Sequence, residues 1–499
     1  MHSIYSKADE PVLKFFEQIK DSSKLLCVAL DYAKSKHTVL FCNGAGEILK
    51  KSFAVENAAA GLEELLQQVQ ATCHHRGIPL KHVFFGGEDR PGYAANFCAA
   101  LIGKKFLVVR ISAAEAKKAR QNSKASSDLL DLQGIAHCLL QRTGRLVAVQ
   151  NEAYTHLRIL VRERDYLVAW QTALTNHLYP YADQLFPGFL DAHSAVTPFG
   201  PACWWLLEKD FSAPQIARRA SQRLVQGLTK LHVHQPLKVA EELQEQARHV
   251  LVPVAEKIKP SQIALTQLVP IHHCLAQAVA GLDREVAMVL ARTPAAVLTS
   301  LPGIGVTLAA GLGAETGVLH KMPSLDGLAC YAGLVPRSDQ TGGPDQPPVL
   351  GHKSHKVNKR LKHYLMSGGE HIARIPGSQA QLLAQRAEEK KQHVLVVLAK
   401  HLAGLMRSLL LRQTIYLPPE LFAKDSSASS RAEYYQQLWP KWLDKWKRSQ
   451  ADVSQVFAPT NPLGQWRTMV QKLHKISLPL PGSAQSSKVC VTTEESPTL

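Results

Sequence analysis

Four carboxylates stand where they could share an ion. Asp31 closes a short apolar run, Leu25–Leu30, and Glu88 follows another, His82–Phe85. Asp128 and Asp131 are spaced i, i+3, which on a helix puts them on one face. Each alone is commonplace, since an aspartate after a strand usually serves a turn and helix carboxylates usually face water. Brought together they repel one another, at a cost that only a cation compensates. Hard oxygen ligands select magnesium or manganese, and two such ions can stabilise charge on a phosphodiester during in-line displacement. Asp31, Glu88, Asp128 and Asp131 are therefore the candidate metal-binding and catalytic set. Asp89, beside Glu88, is an alternative ligand that spacing leaves open.

The elements that must position these acids read as α/β. Leu25–Leu30, Thr38–Cys42 and Ile48–Val55 form a three-strand antiparallel meander, joined by the polar turn Asp31 to Lys36 and by Gly44-Ala45-Gly46. Leu62, Leu65, Leu66 and Val69 recur at helical spacing before the strand His82–Phe85. A helix near Ala94–Ile102, a strand Phe106–Arg110 and a helix carrying Leu129, Leu130, Ile135, Leu139 and Leu140 complete the unit. The order βββαβαβα is that of an RNase H-like fold, in which strand ends and the last helix meet at one sheet edge.

Two further stretches carry nucleic-acid chemistry. Leu301-Pro302-Gly303-Ile304-Gly305, between helical segments, has the pattern of a helix-hairpin-helix. In that motif, a Gly-rich turn presents backbone N–H groups and a helix N-terminus to a phosphate. An ordinary turn between packed helices has the same pattern. Downstream, Lys353, Lys356, Lys359, Arg360 and Lys362 come with His352, His355 and His363, and no acid falls between Gly351 and Gly369. Such a stretch suits phosphate contacts. Tyr434, Tyr435, Trp439, Trp442 and Trp446 alternate with Lys441, Lys445, Lys447 and Arg448. Their rings either stack on bases or, as three tryptophans on one helical face, dock onto a core.

The whole chain of 499 residues carries 58 Lys+Arg against 41 Asp+Glu, a formal charge of +17. That surplus favours a polyanion, nucleic acid before an anionic membrane. Forty-five per cent apolar residues exclude wholesale disorder. Nine cysteines without a CxxC pair exclude a zinc ribbon and a disulfide framework and point to a reducing compartment. The start of the chain has no signal-peptide pattern, and the longest uncharged stretch, Thr293–Ala314, is broken by Pro and Gly. The expectation is a soluble cytoplasmic protein without a membrane partner. Its expected parts are the α/β unit at 20–145, a helical or coiled-coil region at 146–295 and the hairpin and basic region at 296–417. A C-terminal extension, 418–499, ends in a disordered tail.

VALDYAKSKH around Asp31, GGEDRPGY around Glu88, KASSDLLD around Asp128 and Asp131, and SLPGIG followed by YAGLVPRSDQTGG make a set. Over roughly residues 20–415 the chain thereby resembles the DEDD-type insertion-sequence transposases. These are the bridge-RNA-guided recombinases, a group that includes the Piv-type DNA invertases. The resemblance implies a RuvC-like catalytic domain, a coiled-coil insert and a helical transposase domain with a helix-hairpin-helix-like motif. It implies that the acids bind magnesium and hold the scissile phosphate. A serine in the loop after the GLxP motif, supplied by another subunit, attacks phosphorus, so that DNA is joined to the protein before strands exchange. It further implies double-stranded donor and target DNA, an element-encoded noncoding guide RNA and a homo-oligomer, a dimer or tetramer. Here Thr341 stands in place of that serine, eight residues after Gly333, and Ser338 is the alternative nucleophile. Pro91 stands where the family has glycine, and Lys124 is two residues further from Asp128 than usual. The competing readings are a metal-dependent nuclease, an invertase without a guide, and a nucleic-acid-binding relic without covalent chemistry.

Overall fold

The computed structural model describes residues 9–88, 92–120, 127–147, 152–191, 193–208, 211–317, 324–335, 338–339, 349–350, 357–376, 378–386, 391–422 and 428–481. They belong to two units, 1–149 and 150–499.

The first unit is built on a six-stranded sheet. Its strands are β1 (Leu26–Asp31), β2 (Lys36–Cys42), β3 (Ile48–Glu56), β4 (Val83–Glu88), β5 (Leu107–Ile111) and β6 (Arg145–Leu146), in the order 3-2-1-4-5-6. The first three are antiparallel, while β1–β4 and β4–β5 are parallel. Side chains alternate across a sheet, and the sequence uses both faces. Leu26, Val28, Leu30, Val83 and Phe85 pack on one side with α2 (Ala59–Arg76) and α3 (Ala95–Gly103). Cys27, Ala29 and Phe84 pack on the other with Leu132, Ile135 and Leu139 of α5 (Asp128–Leu140).

Three elements go beyond the sequence expectation. Helix α1 (Glu10–Glu17) lays Phe15 and Phe16 on Phe84, with ring centroids 5.5 and 5.4 Å apart. The Asp9 carboxylate before it accepts the Leu146 N–H at 2.6 Å, which ties the start of this unit to β6. A short helix, α4 (Ala113–Lys118), packs on α5.

The second unit is helical. Helices α6 (Glu152–Leu185) and α11 (Ala255–Ala291) run antiparallel along each other. Arg164 meets Asp283 at 2.5 Å, Gln171 meets His272 at 3.3 Å and Gln184 meets Ser261 at 3.3 Å. One end of the pair closes a core with α7 (Pro201–Leu207), α8 (Ala213–Arg218), α9 (Ser221–Lys230) and α10 (Pro236–His249). Apolar residues recur at helical spacing from Leu237 to Leu251, but the buried stripe is shorter than that run. Ala240, Leu243 and Ala247 are buried, but Leu237 in the first turn is 57% exposed and Leu251, past the helix end, is 87% exposed.

The other end of the pair joins a second core. It contains α12 (Val306–Thr316), α13 (Leu325–Ala332), α14 (Lys359–Ala373), α15 (Gln379–Arg386) and α16 (Lys391–Arg412). It also contains α17 (Ala428–Arg448), α18 (Val453–Val456) and α19 (Pro462–His474). Helices α11 and α16 are long and apolar enough to cross a membrane, and here they pack along α6 and α14. Trp439, Trp442 and Trp446 are buried against Phe457, so of the two readings of the aromatic run, docking onto a core is the one realised.

Candidate active site

Asp31 and Glu88 are direct register partners on the parallel strands β1 and β4. The alternation that sends Cys27, Ala29 and Phe84 under α5 puts both acids on that same face, at the strand ends. Helix α5 starts at Asp128, and Ser127 caps it by accepting the Leu130 N–H at 3.3 Å. Its first turn therefore delivers Asp128 and Asp131 to the edge where Asp31 and Glu88 end. The turn after Asp31 is pinned by a residue that spacing did not single out. His37 is fully buried, its Nδ1 accepts the Ala33 N–H at 3.3 Å, and its ring lies edge-on to Tyr32 and Phe97.

The electrostatics follow from this geometry. Burial pushes the Asp31 carboxyl above the ordinary aspartate range, and the charges of Glu88, Asp131 and Asp128 push it further. The Arg120 guanidinium pulls it back. Arg120 also pairs directly with Asp131, the two side chains being 14% and 26% exposed. Gly134, one turn along from Asp131, makes this contact possible. A Cβ there would stand 2.5 Å from the Ala116 carbonyl, so only glycine lets α4 approach closely enough to carry Arg120 beside the acids.

One guanidinium against four carboxylates leaves a surplus of negative charge, and that surplus fits a divalent cation. Among the described residues, no three Asp, Glu, His or Cys side chains are gathered as a ready ligand set. Arg120→Ala is expected to lower the stability of the metal-free protein by about 1–2 kcal/mol, because it strands Asp131 among like charges at a partly wet edge. Magnesium is expected to recover most of that loss. Melting curves with chelator and with magnesium check this, and an equal loss in both would exclude the coupling.

In the second unit, the turn Leu301–Gly305 joins a buried 3-10 segment, Pro294–Ser300, to α12. Gly303 is exposed with φ +76°, and its would-be Cβ lies 3.1 Å from the His371 backbone. Gly305 caps α12, with open space over its α-carbon. The basic residues lie elsewhere. Lys359, Arg360 and Lys362 open α14, whereas His371 near its other end meets the hairpin, about 18 Å away along the helix axis. The sequence places the hairpin and the basic turn in one region, and the fold sets them at opposite ends of α14. Arg360 is 3.5 Å from Asp165, which offsets part of its charge. Asn358 caps α14 through the Leu361 N–H at 3.0 Å and donates to the buried Glu315 at 2.9 Å. Arg162 donates to both carboxylate oxygens of Glu315, at 2.8 and 2.9 Å, and shares Oε2 with Asn358.

Ser338 lies in β7 (Ser338–Asp339), paired antiparallel with β8 (Val349–Leu350). Thr341, Lys353, Lys356, Asp89, Pro91 and Lys124 lie outside the described residues.

Comparison with known proteins matches two stretches of the chain. Residues 28–187 match the DEDD family model for IS110 elements, described as a transposase. Residues 295–384 match the model described as the transposase IS116/IS110/IS902 family. The 43.6 kDa protein of insertion element IS110 from Streptomyces coelicolor is 27% identical over 58% of this chain and 72% of its own length. The 44.8 kDa protein of insertion element IS116 from Streptomyces clavuligerus is 25% identical over 54% of this chain and 66% of its own length.

Proposed function

Because the chain belongs to the DEDD-type insertion-sequence transposases, we propose that it cuts and rejoins DNA strands of a mobile element at the edge formed by Asp31, Glu88, Asp128 and Asp131. The reading is supported above all by the register pairing of Asp31 with Glu88 on the face that α5 covers. These four side chains would hold magnesium or manganese. When bound, the ion supplies Lewis-acid polarisation of the scissile phosphate.

The chain's own residues do the rest. The strand ends fix two carboxylates on one face, α5 brings the other pair, and Arg120 offsets part of the negative charge beside Asp131. Gly303 and Gly305 offer backbone N–H groups to the phosphate backbone. The first turn of α14, with Lys359, Arg360 and Lys362, adds cationic contacts, extended by Lys353 and Lys356. The Thr341 hydroxyl gives up its proton and attacks phosphorus, forming a threonyl phosphodiester while the P–O bond to one deoxyribose breaks and that sugar leaves as a free hydroxyl; the free hydroxyl of a second strand then attacks the same phosphorus, which releases the threonine and joins donor to target DNA. A noncoding RNA from the element selects the sites, and the protein works as a dimer or tetramer in the cytoplasm. Sequencing RNA that co-purifies with the protein from its native host tests the guide, and recovery of only random fragments would leave an unguided invertase.

Phosphate contacts predict a salt signature. Lys359→Ala is expected to weaken duplex binding about equally across sequences and to reduce the slope of log K against log salt by about 1. Arg360→Ala is expected to change the slope less, since Asp165 already offsets its charge. Fluorescence anisotropy over a salt series reads both. Equal slopes in wild type and Lys359→Ala would remove this turn from the interface.

A further inference from the structure

Lys445 of α17 is half-buried, and its ammonium turns toward backbone carbonyls. Its Nζ donates to three backbone carbonyls, Thr299 at 2.7 Å, Leu301 at 2.8 Å and Ile304 at 3.0 Å. Leu301 and Ile304 belong to the turn that leads into α12 and Thr299 to the 3-10 segment before it, and together they use every proton of the ammonium. The preceding turn of α17 strengthens the dock. Trp442 Nε1 donates to Thr299 Oγ1 at 2.7 Å, and that hydroxyl donates to the Ala296 carbonyl at 2.7 Å. Carbonyl oxygens aimed at one buried point are costly unless a positive centre meets them. Converging carbonyls are also what replaces the hydration shell of potassium in channel filters. Ammonium and potassium ions are similar in size and charge.

We propose that the carbonyls of Thr299, Leu301 and Ile304 form a monovalent-cation site beneath the hairpin. Lys445 fills it as a built-in cation, and potassium takes its place when the lysine is removed. The positive charge then sits behind the exposed Gly303 turn, where it favours an approaching phosphate. That consequence rests on the hairpin being a phosphate contact, whereas the site itself does not. Burial pushes the Lys445 ammonium down to about 8, which leaves it protonated at neutral pH. The C-terminal helix is thereby a positioning element for the hairpin, and Lys445 is a positioning residue.

The test uses the full chain, with potassium, ammonium or tetramethylammonium chloride at equal ionic strength. Wild type is expected to melt at one temperature in all three and to bind duplex DNA equally. Lys445→Ala leaves room for an ion. It is expected to melt at least about 4 °C lower in tetramethylammonium and to bind duplex about tenfold more weakly there. Potassium or ammonium is expected to restore both. Melting of Lys445→Ala that is identical in the three salts would overturn the site. Potassium-dependent melting with unchanged duplex binding would keep the site and overturn the hairpin's phosphate role. Should Lys445→Ala fail to fold in every salt, Lys445→Gln keeps two donors without charge. A melting temperature equal to that of wild type for this folded, uncharged variant would equally overturn the site.

Discussion

Asp31→Asn is expected to abolish strand exchange and, at the same time, to raise the melting temperature of the metal-free protein. The two effects share one cause. Asp31 ends β1 half-buried among Glu88, Asp131 and Asp128, and its carboxyl is held above the ordinary range. A carboxyl raised in the folded state binds its proton more tightly there than in the unfolded chain. Its contribution to stability is therefore fully present below the unfolded value and is lost as pH rises through the raised one. At neutral pH the ionised group is a standing cost. Asparagine keeps the shape and removes the charge, a gain of about 0.5–1 kcal/mol after solvent screening at this edge, or about 2 °C.

The catalytic loss is far larger. Electrostatic stabilisation by a bound ion is worth several kcal/mol, and each 1.36 kcal/mol is about tenfold in rate. A fall of about a thousandfold or more follows for Asp31→Asn, Glu88→Gln and Asp128→Asn alike. Asp128 is exposed, so its neutralisation is expected to leave melting nearly unchanged. A strand-exchange assay beside calorimetry in chelator reads both sides. Wild-type recombination in all three variants would end the metal assignment. A lower melting temperature for Asp31→Asn would show that the charge cluster is not strained as argued.

The strands and helices that hold these acids were legible because their apolar residues repeat at period two or near 3.6. Each strand of the meander and each crossover helix lies within a few residues of its expected place. What escaped the sequence has physical reasons. Strand β6 is two residues long and has no periodicity to read. Helix α1 is only eight residues long, although Val12, Phe15 and Phe16 do carry helical spacing. Arg120 lies beyond α4, and only the close approach at Gly134 brings it to Asp131. Lys445 read as one cation in an aromatic, basic run, because the carbonyls that bury it are about 140 residues away in sequence. Local pattern reports which face of an element is apolar. It does not report which distant backbone groups need a charge.

Thr341→Ala is expected to remove a covalent protein–DNA adduct and to bring strand exchange to background, while DNA binding persists. A hydroxyl is a weak nucleophile at its free pKa and acts only when the phosphate is activated and the oxygen is aligned. Deleting that oxygen therefore removes the step rather than slowing it. Threonine adds a constraint of its own. Its second substituent on Cβ stiffens χ1 and crowds the line of attack. Thr341→Ser keeps the oxygen and sheds the methyl, so exchange is expected to rise by about three- to tenfold, the equivalent of about 1 kcal/mol. Denaturing gels that trap the adduct, followed by peptide mapping, identify the joined residue. An adduct that survives Thr341→Ala and disappears in Ser338→Ala moves the nucleophile to β7, where the backbone of Ser338 is paired with Leu350. If neither substitution nor Thr341→Ser yields any adduct from a protein that still binds DNA, the hydroxyl chemistry is absent. The acidic edge would then serve a nuclease or a binding protein, and the acid-neutralised variants separate those two, since only the nuclease loses cleavage.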